Sequence, residues 1–125
     1  VACVVNKFHS VNKQYGRQFG EKVLRGIGAG LKKLARQTGG ISCREEDDTF
    51  LLYCPHQDDY EQLINEFLSD VFSGKEIADK VSIRFGIFTD ARQVESIEYR
   101  FECAKTAANR VKNDPERNFS FYDQT

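Results

Sequence analysis

Apolar residues recur at the three-to-four-residue spacing of an amphipathic helix in three segments of the chain. The first segment begins near Gly20 and ends at Gly39-Gly40, a pair that favours a helix stop. The second spans residues 60–72, and the third spans residues 94–111. We therefore predict three helices, each with one apolar face packed against a core.

Short β-branched and aromatic runs before, between and after these helices predict strands. The runs are residues 1–5, 41–43, 49–54, 81–88 and 119–122. The second and third runs flank an acidic segment, as expected of a β-hairpin with a solvated tip. The order strand, helix, hairpin, helix, strand, helix, strand has no internal repeat. It favours an α+β fold of the ferredoxin-like kind, with a central, mostly antiparallel sheet flanked by helices, over a doubly wound parallel sheet.

Composition and charge narrow the class of protein further. A chain of 125 residues, 40% of them hydrophobic, is expected to form one domain over residues 1–125. The formal net charge of -1 gives no overall attraction for nucleic acid or anionic lipid, so a phosphate-bearing ligand needs a local site. No apolar run is long enough to span a membrane, and no signal segment is recognisable, which predicts a soluble, cytoplasmic chain without membrane contact.

The cysteine pattern contains no CxxC pair and no histidine at zinc-ligand spacing. Each cysteine lies in an apolar or strand-like stretch, so we predict buried free thiols rather than disulfides, in agreement with a reducing cytoplasm. The four residues are Cys3, Cys43, Cys54 and Cys103.

Several motifs in register resemble the GGDEF family of diguanylate cyclases. Residues 8–24, FHSVNKQYGRQFGEKVL, are similar to the family pattern of Phe-Lys, Asn, Gly, then Gly-Asp and Val-Leu. Residues 44–50 lie where the family carries Arg-x-Gly-Gly-Asp-Glu-Phe, and residues 81–87 resemble a family strand that ends in Gly-Ile. The resemblance covers nearly the whole chain and implies a GGDEF fold. The usual N-terminal helix and Asp-x-Leu-Thr-Gly-Leu segment are missing, so we expect a domain cut from a longer protein.

The family makes cyclic di-GMP from two GTP molecules, and its carboxylates hold magnesium on the triphosphate. The resemblance implies that the first-strand carboxylate is replaced by Val4 and the next family aspartate by Asn6. The hairpin carboxylate is kept as Asp48, but the following catalytic glutamate is Thr49 and the family phenylalanine is Phe50. We therefore expect no catalytic residue, no metal ligand set and no cofactor.

The family's glycine pair is replaced by Glu46 and Asp47, which add bulk and negative charge where phosphates would approach the backbone. The family's feedback motif would fall on residues 37–40 and is absent. The alternative interpretation of residues 45–48 is a solvated turn that keeps the hairpin apart from other strand edges.

The positions that contact guanine and phosphate in the family are better kept. The resemblance assigns guanine contacts to Asn12 and Glu21, a phosphate contact to Lys112, and a second to Arg117 if one residue is inserted near residues 113–116. The alternative for Asn12 and Glu21 is a structural role in helix capping and first-turn charge.

These features lead to one favoured function and two alternatives. We expect a degenerate GGDEF domain of cyclic di-GMP pathways, without catalysis, that regulates a neighbouring domain or partner by pairing, as in a homodimer, or by weak GTP binding. The first alternative is an active cyclase with an atypical metal site. The second is an RNA binder using aromatic residues such as Phe50 or Tyr53, but the sequence predicts no basic sheet face for it.

Overall fold

A computed structural model describes residues 1–46, 48–55, 57–71, 81–89, 96–112, 114 and 116–122. Five strands form one sheet in the order β2-β3-β1-β4-β5. The strands are β1 (Ala2–Asn6), β2 (Ile41–Glu46), β3 (Thr49–Tyr53), β4 (Ser82–Ile87) and β5 (Phe119–Phe121). The helices in this part of the chain are α1 (Phe8–Tyr15), α2 (Arg17–Thr38), α3 (Tyr60–Val71) and α4 (Ile97–Arg110).

The strand pairing confirms the predicted α+β class and the mostly antiparallel sheet. β1 is the central strand and pairs antiparallel with β3 and with β4, while β2 and β3 form the hairpin. The β4–β5 pair is parallel, because α4 connects the two strands across the sheet. The register places Val4 opposite Thr49 on one side and Arg84 on the other.

The main hydrophobic core lies on one face of the sheet, which we call the α2 face. Alternate strand residues such as Val5, Phe50 and Phe85 point to this face and pack against α1, α2 and α3. Phe67 of α3 contacts Phe85 edge to face, with ring centroids 5.6 Å apart. A Cβ atom at Gly30 of α2 would lie 2.8 Å from the Phe67 ring, so this glycine lets α2 and α3 pack closely.

The opposite face, which we call the α4 face, has a smaller core built on Ala2, Leu51 and Ala104. Gly86 lies directly under α4, where a Cβ atom would overlap the carbonyl oxygen of Ala104 and lie 2.5 Å from the backbone nitrogen of Ala108. The absence of a side chain at Gly86 therefore sets how closely α4 approaches the sheet.

The boundaries of several elements differ from the sequence prediction. α1 was not predicted, because it is short and buries only Phe8 and Val11, too few residues to show a helical period. α2 begins at Arg17 rather than near Gly20, after Gly16 at φ 95° separates the two helices. The predicted stop of α2 is confirmed, since Gly39 adopts the left-handed conformation at φ 76°. The predicted helical residues 72 and 94–95 lie outside the described residues.

All four cysteines are free, as predicted, but their burial was predicted only in part. Cys3 and Cys103 are buried, and burial raises the pKa of the Cys3 thiol well above its usual value. The prediction was wrong for Cys43, which is exposed because β2 lies at the edge of the sheet, and for Cys54, which is half-buried just after β3.

In the part of the chain that the structure describes, no helix has the length and apolar character needed to cross a membrane.

Candidate functional site

The candidate site lies where β1, β3 and β4 meet on the α4 face. Val4 belongs to this face because it alternates with Ala2, which packs against α4. Thr49 and Arg84 are its cross-strand neighbours and share the face. Val4 is half-buried and Thr49 is 4% exposed, so the centre of the site is closed by packed side chains.

The start of β3 is held by hydrogen bonds on both sides of Asp48. The backbone N–H of Val5 donates to the Asp48 carbonyl at 2.8 Å, which ties the hairpin to β1. The Thr49 hydroxyl donates to Asp48 Oδ1 at 3.0 Å. Phe50 points to the other face and is 5% exposed in the main core, so it anchors the hairpin through packing.

The hairpin tip is acidic and is fastened to α4. Lys105 of α4 contacts Glu45 at 2.8 Å and Glu102 at 2.7 Å, and its hydrogen bonds to Glu102 and Glu45 raise the pKa of Lys105. The predicted site residue Glu46 is exposed, and its carbonyl accepts a hydrogen bond from Arg44 Nε at 3.2 Å. Asp47 lies outside the described residues. Glu45 is thus exposed, as a solvated turn predicts, and also belongs to an ion-paired cluster on the surface.

Arg84 is a functional candidate that the sequence analysis missed. Its guanidinium reaches the end of α4, where Nε donates to the Val111 carbonyl at 2.9 Å and Nη2 donates to the Asp114 carbonyl at 3.0 Å. Nη1 also donates to the Ile83 carbonyl at 3.2 Å. A charged residue within an otherwise apolar strand was the available signal, since it marks a position on the polar part of one sheet face.

Asn6 connects β1 to the turn after α4. Its Nδ2 donates to the Lys112 carbonyl at 2.8 Å, while its Oδ1 is buried and accepts no hydrogen bond from the described residues. The backbone of Lys112 is therefore held near the end of β1, two residues from Val4, and its side chain is exposed. Arg117 is also exposed, and of residues 113–116, where we predicted an insertion, residues 113 and 115 lie outside the described part.

Asn12 packs against the start of α2 at Gly20, the residue before Glu21. The Asn12 amide lies directly on Gly20, because a Cβ at Gly20 would overlap Asn12 Oδ1. Asn12 Oδ1 is buried without a hydrogen-bond partner among the described residues. Glu21 is exposed and contacts Arg25 at 3.8 Å.

The alternative structural roles of Asn12 and Glu21 are not supported. Gly16 is the N-cap of α2, and no side chain caps that end. The first turn of α2 carries no acidic residue, which excludes a first-turn charge role for Glu21.

Comparison with known families shows which family the chain belongs to. The family model described as diguanylate cyclase, GGDEF domain, matches residues 1–118. The chain belongs to the GGDEF domain family. It is a GGDEF domain of the type found in cyclic di-GMP signalling proteins, and the predicted family and fold are confirmed.

Solved structures share the GGDEF fold at low sequence identity. An EAL/GGDEF domain protein from M. capsulatus is 20% identical with a TM-score of 0.72, and the match covers 98% of this chain and 82% of that one. The GGDEF domain of DgcB from Caulobacter crescentus, solved in complex with c-di-GMP, is 15% identical with a TM-score of 0.67, and 97% and 75% of the two chains are covered.

A third structure is longer. The S helix-GGDEF-EAL part of Vibrio cholerae LapD, bound to c-di-GMP, is 16% identical with a TM-score of 0.64. The match covers 96% of this chain but 29% of the LapD chain. A comparison with curated protein sequences gave no match.

The residues of this GGDEF domain do not fit the magnesium site that the family implies. Magnesium prefers several oxygen ligands in octahedral geometry, but Val4 has no side-chain oxygen. Asp48 Oδ1 already accepts a hydrogen bond from the Thr49 hydroxyl, and Arg84 on the next strand carries a fixed positive charge that opposes a second cation. Among the described residues, no group of three His, Cys, Asp or Glu side chains could hold a metal ion.

We expect Arg84→Met to destabilise this GGDEF domain by about 1–3 kcal/mol, because the Val111 and Asp114 carbonyls would lose charged donors at the end of α4. Urea unfolding followed by circular dichroism measures the loss. The matched control is Arg25→Met, whose side chain is 83% exposed and makes one long ion pair, so a change under about 0.5 kcal/mol is expected. Equal losses in the two variants would contradict the anchoring role of Arg84.

Proposed function

We propose that this GGDEF domain is a non-catalytic module of cyclic di-GMP signalling that regulates a neighbouring domain or a partner. The observation that carries the proposal is the position of Val4 on the central strand, between Thr49 and Arg84. Active members of the family need carboxylates at the Val4 and Thr49 positions for metal binding and catalysis. An apolar side chain and a buried hydroxyl cannot supply that chemistry.

The acidic hairpin tip supports the same proposal. A pair of unit charges about 4 Å apart interacts by about 1 kcal/mol in water and about 4 kcal/mol at an effective dielectric near 20. Glu46 and Asp47 replace small glycines, so a triphosphate without full neutralisation by metal would be repelled at this tip. Lys105 offsets the charge of Glu45 but is also shared with Glu102.

Weak GTP binding is also part of the proposal, and we assign it to the residues that correspond to the family's guanine contacts. Asn12 Oδ1 has no hydrogen-bond partner among the described residues, and the carboxylate of Glu21, the residue after Gly20, is exposed. An amide and a carboxylate together suit the N–H groups on the edge of guanine. Lys112 and Arg117 are the cations that we assign to the phosphates.

Regulation of a neighbouring domain is the role we infer for such a module. The M. capsulatus protein combines EAL and GGDEF domains, and the LapD structure contains an S helix, a GGDEF domain and an EAL domain. A GGDEF domain without turnover can act on an attached domain through its contacts or its ligand occupancy. We propose that role for this chain.

The direct test is an assay for product. We expect no cyclic di-GMP from GTP with magnesium or manganese after a long incubation, because a metal ligand and the catalytic acid are replaced by Val4 and Thr49. Chromatography of the reaction mixture measures this, with a no-protein control and an active cyclase run in parallel. Product clearly above the no-protein control would refute the proposal and favour an atypical metal site.

A further inference from the structure

Strand β2 forms an open edge of the sheet. Within the described residues it pairs only with β3, and each of its side chains is exposed except that of Ser42, which is half-buried. Ile41 is 72% exposed, although it is among the most apolar residue types. Proteins usually protect such edges with lysine, proline or a bulge, and the segment 41–43 has none of them because the irregularity in β2 begins at Arg44.

Hydrogen bonds in β3 show which backbone groups of β2 face outward. Leu52 and Val1 exchange two backbone hydrogen bonds, each 2.8 Å, so the backbone groups of Leu52 face β1. Backbone groups alternate along a strand, and those of Leu51 and Tyr53 therefore face β2. Their partners in β2 are Cys43 and Ile41. The N–H and C=O of the residue between them, Ser42, consequently point away from the sheet.

We propose that this edge pairs antiparallel with β2 of a second copy of the chain, with Ser42 opposite Ser42. The N–H of each Ser42 donates to the carbonyl of the other, so the outward backbone groups are satisfied in both copies. The same register places Ile41 opposite Cys43 of the second copy, on one face of the joined sheet. The exposed Ile41 side chain is then covered by another apolar side chain.

Charge and the available backbone donors favour this register over its neighbours. Only residues whose backbone groups face outward can form the hydrogen-bonded pairs, so the register can shift only by two residues. A shift toward the tip places Ile41 opposite Glu45, which is already bound to Lys105, and a further shift places Arg44 opposite itself. A shift the other way places Ser42 opposite Gly40, whose N–H already donates to the Ala35 carbonyl. In the proposed register the acidic tips of the two copies lie at opposite ends of the new strand pair. The net charge of -1 per chain adds little repulsion.

The role of this dimer in signalling rests on the proposed function. Its geometry does not. A contact made mainly by one short strand buries less surface than the 1,200–2,000 Å² typical of stable complexes, so we expect a weak dimer with Kd on the order of 10–100 μM. Neither GTP nor magnesium enters the interface. The dimer can therefore prove wrong while the chain still lacks cyclase activity. Equally, the chain can prove to be an active cyclase while the dimer still forms.

Analytical ultracentrifugation tests the dimer, without nucleotide or metal, from about 10 μM to about 500 μM protein. We expect concentration-dependent dimerisation, and at least a tenfold rise in Kd for Ile41→Lys and for Ser42→Pro, which removes the N–H donor. The matched control is Phe121→Lys, which changes a side chain 46% exposed on β5, at the other edge of the sheet, and should leave Kd unchanged.

The outcomes against the proposal are equally concrete. If the wild-type chain stays monomeric over the whole concentration range, self-pairing is wrong and the β2 edge binds a different partner. An equal effect of Ile41→Lys and Phe121→Lys would show that association does not use the β2 edge. Circular dichroism of each variant checks folding, and Ile41→Lys is well suited because its side chain is largely exposed.

Cross-linking tests the register. Opposed residues of a hydrogen-bonded antiparallel pair have Cα atoms about 5.5 Å apart, within the span of a disulfide. We expect Ser42→Cys combined with Cys43→Ser to form a covalent dimer when diamide oxidises the thiols, with Cys43→Ser alone as the control. Cross-linking through the native Cys43 but not through Ser42→Cys would place Cys43 opposite itself and overturn the register.

Discussion

Val4→Asp combined with Glu46→Gly, Asp47→Gly and Thr49→Glu is expected to convert weak, metal-independent GTP binding into magnesium-dependent binding. The change supplies a carboxylate on the central strand and clears the hairpin for the phosphates, so both defects of the site are corrected together. Calorimetric titration with magnesium and with a chelator should show affinities that differ at least tenfold, or about 1.4 kcal/mol. Turnover is not required for this result.

The reference variants separate the two defects. The wild-type chain should bind GTP weakly and equally with or without magnesium, and Val4→Asp alone should behave in the same way because the acidic tip still repels phosphate. Adding Arg84→Ser to the quadruple variant should tighten magnesium-dependent binding further, since Arg84 lies opposite position 4 and its positive charge opposes a metal ion there. Folding is checked first, because Val4 is half-buried.

Two results would contradict this account. If the folded quadruple variant ignores both GTP and magnesium, the correspondence of these positions with the family site is wrong. If the wild-type chain binds GTP tightly and loses it on addition of a chelator, Asp48 already organises a metal site.

Gly86→Ala is expected to destabilise the domain by about 3 kcal/mol or more, the upper range for overpacking. The new methyl group would overlap the Ala104 carbonyl and crowd the Ala108 backbone nitrogen, and backbone atoms in a helix cannot rotate away as side chains do. α4 would have to move off the sheet and would lose its contacts with Ala2 and Leu51. Urea unfolding followed by circular dichroism measures the effect.

The matched control for this substitution is Gly26→Ala. Gly26 lies on the exposed side of α2, where a Cβ atom would meet nothing within 4 Å. Because alanine favours the helix over glycine, we expect a gain of about 0.5–1 kcal/mol. A Gly86→Ala variant as stable as the wild-type chain would show that α4 does not depend on this close approach.

Much of the fold could be predicted because the apolar residues of a long amphipathic helix recur at a regular spacing in the sequence. The apolar residues from Val23 to Ala35 show this spacing, Gly39 marks the helix end, and the structure has both features. α1 could not be found in this way, since eight residues with two buried side chains are too short to show a period. The exposure of Cys43 was missed for another reason, because a local pattern does not reveal which strand lies at the edge of the sheet.

The candidate site, too, could be predicted only in part. Sequence alone predicts that Val4, Glu46 and Thr49 depart from the family motif, because residue identity at a motif position can be read without the fold. Only the tertiary structure shows that Arg84 lies opposite Val4 and hydrogen-bonds to the end of α4. Only the structure shows that the backbone groups of Ser42 point away from the sheet. Cross-strand neighbours and free strand edges arise from the pairing of distant segments, so they depend on register and strand order, which a single sequence does not display.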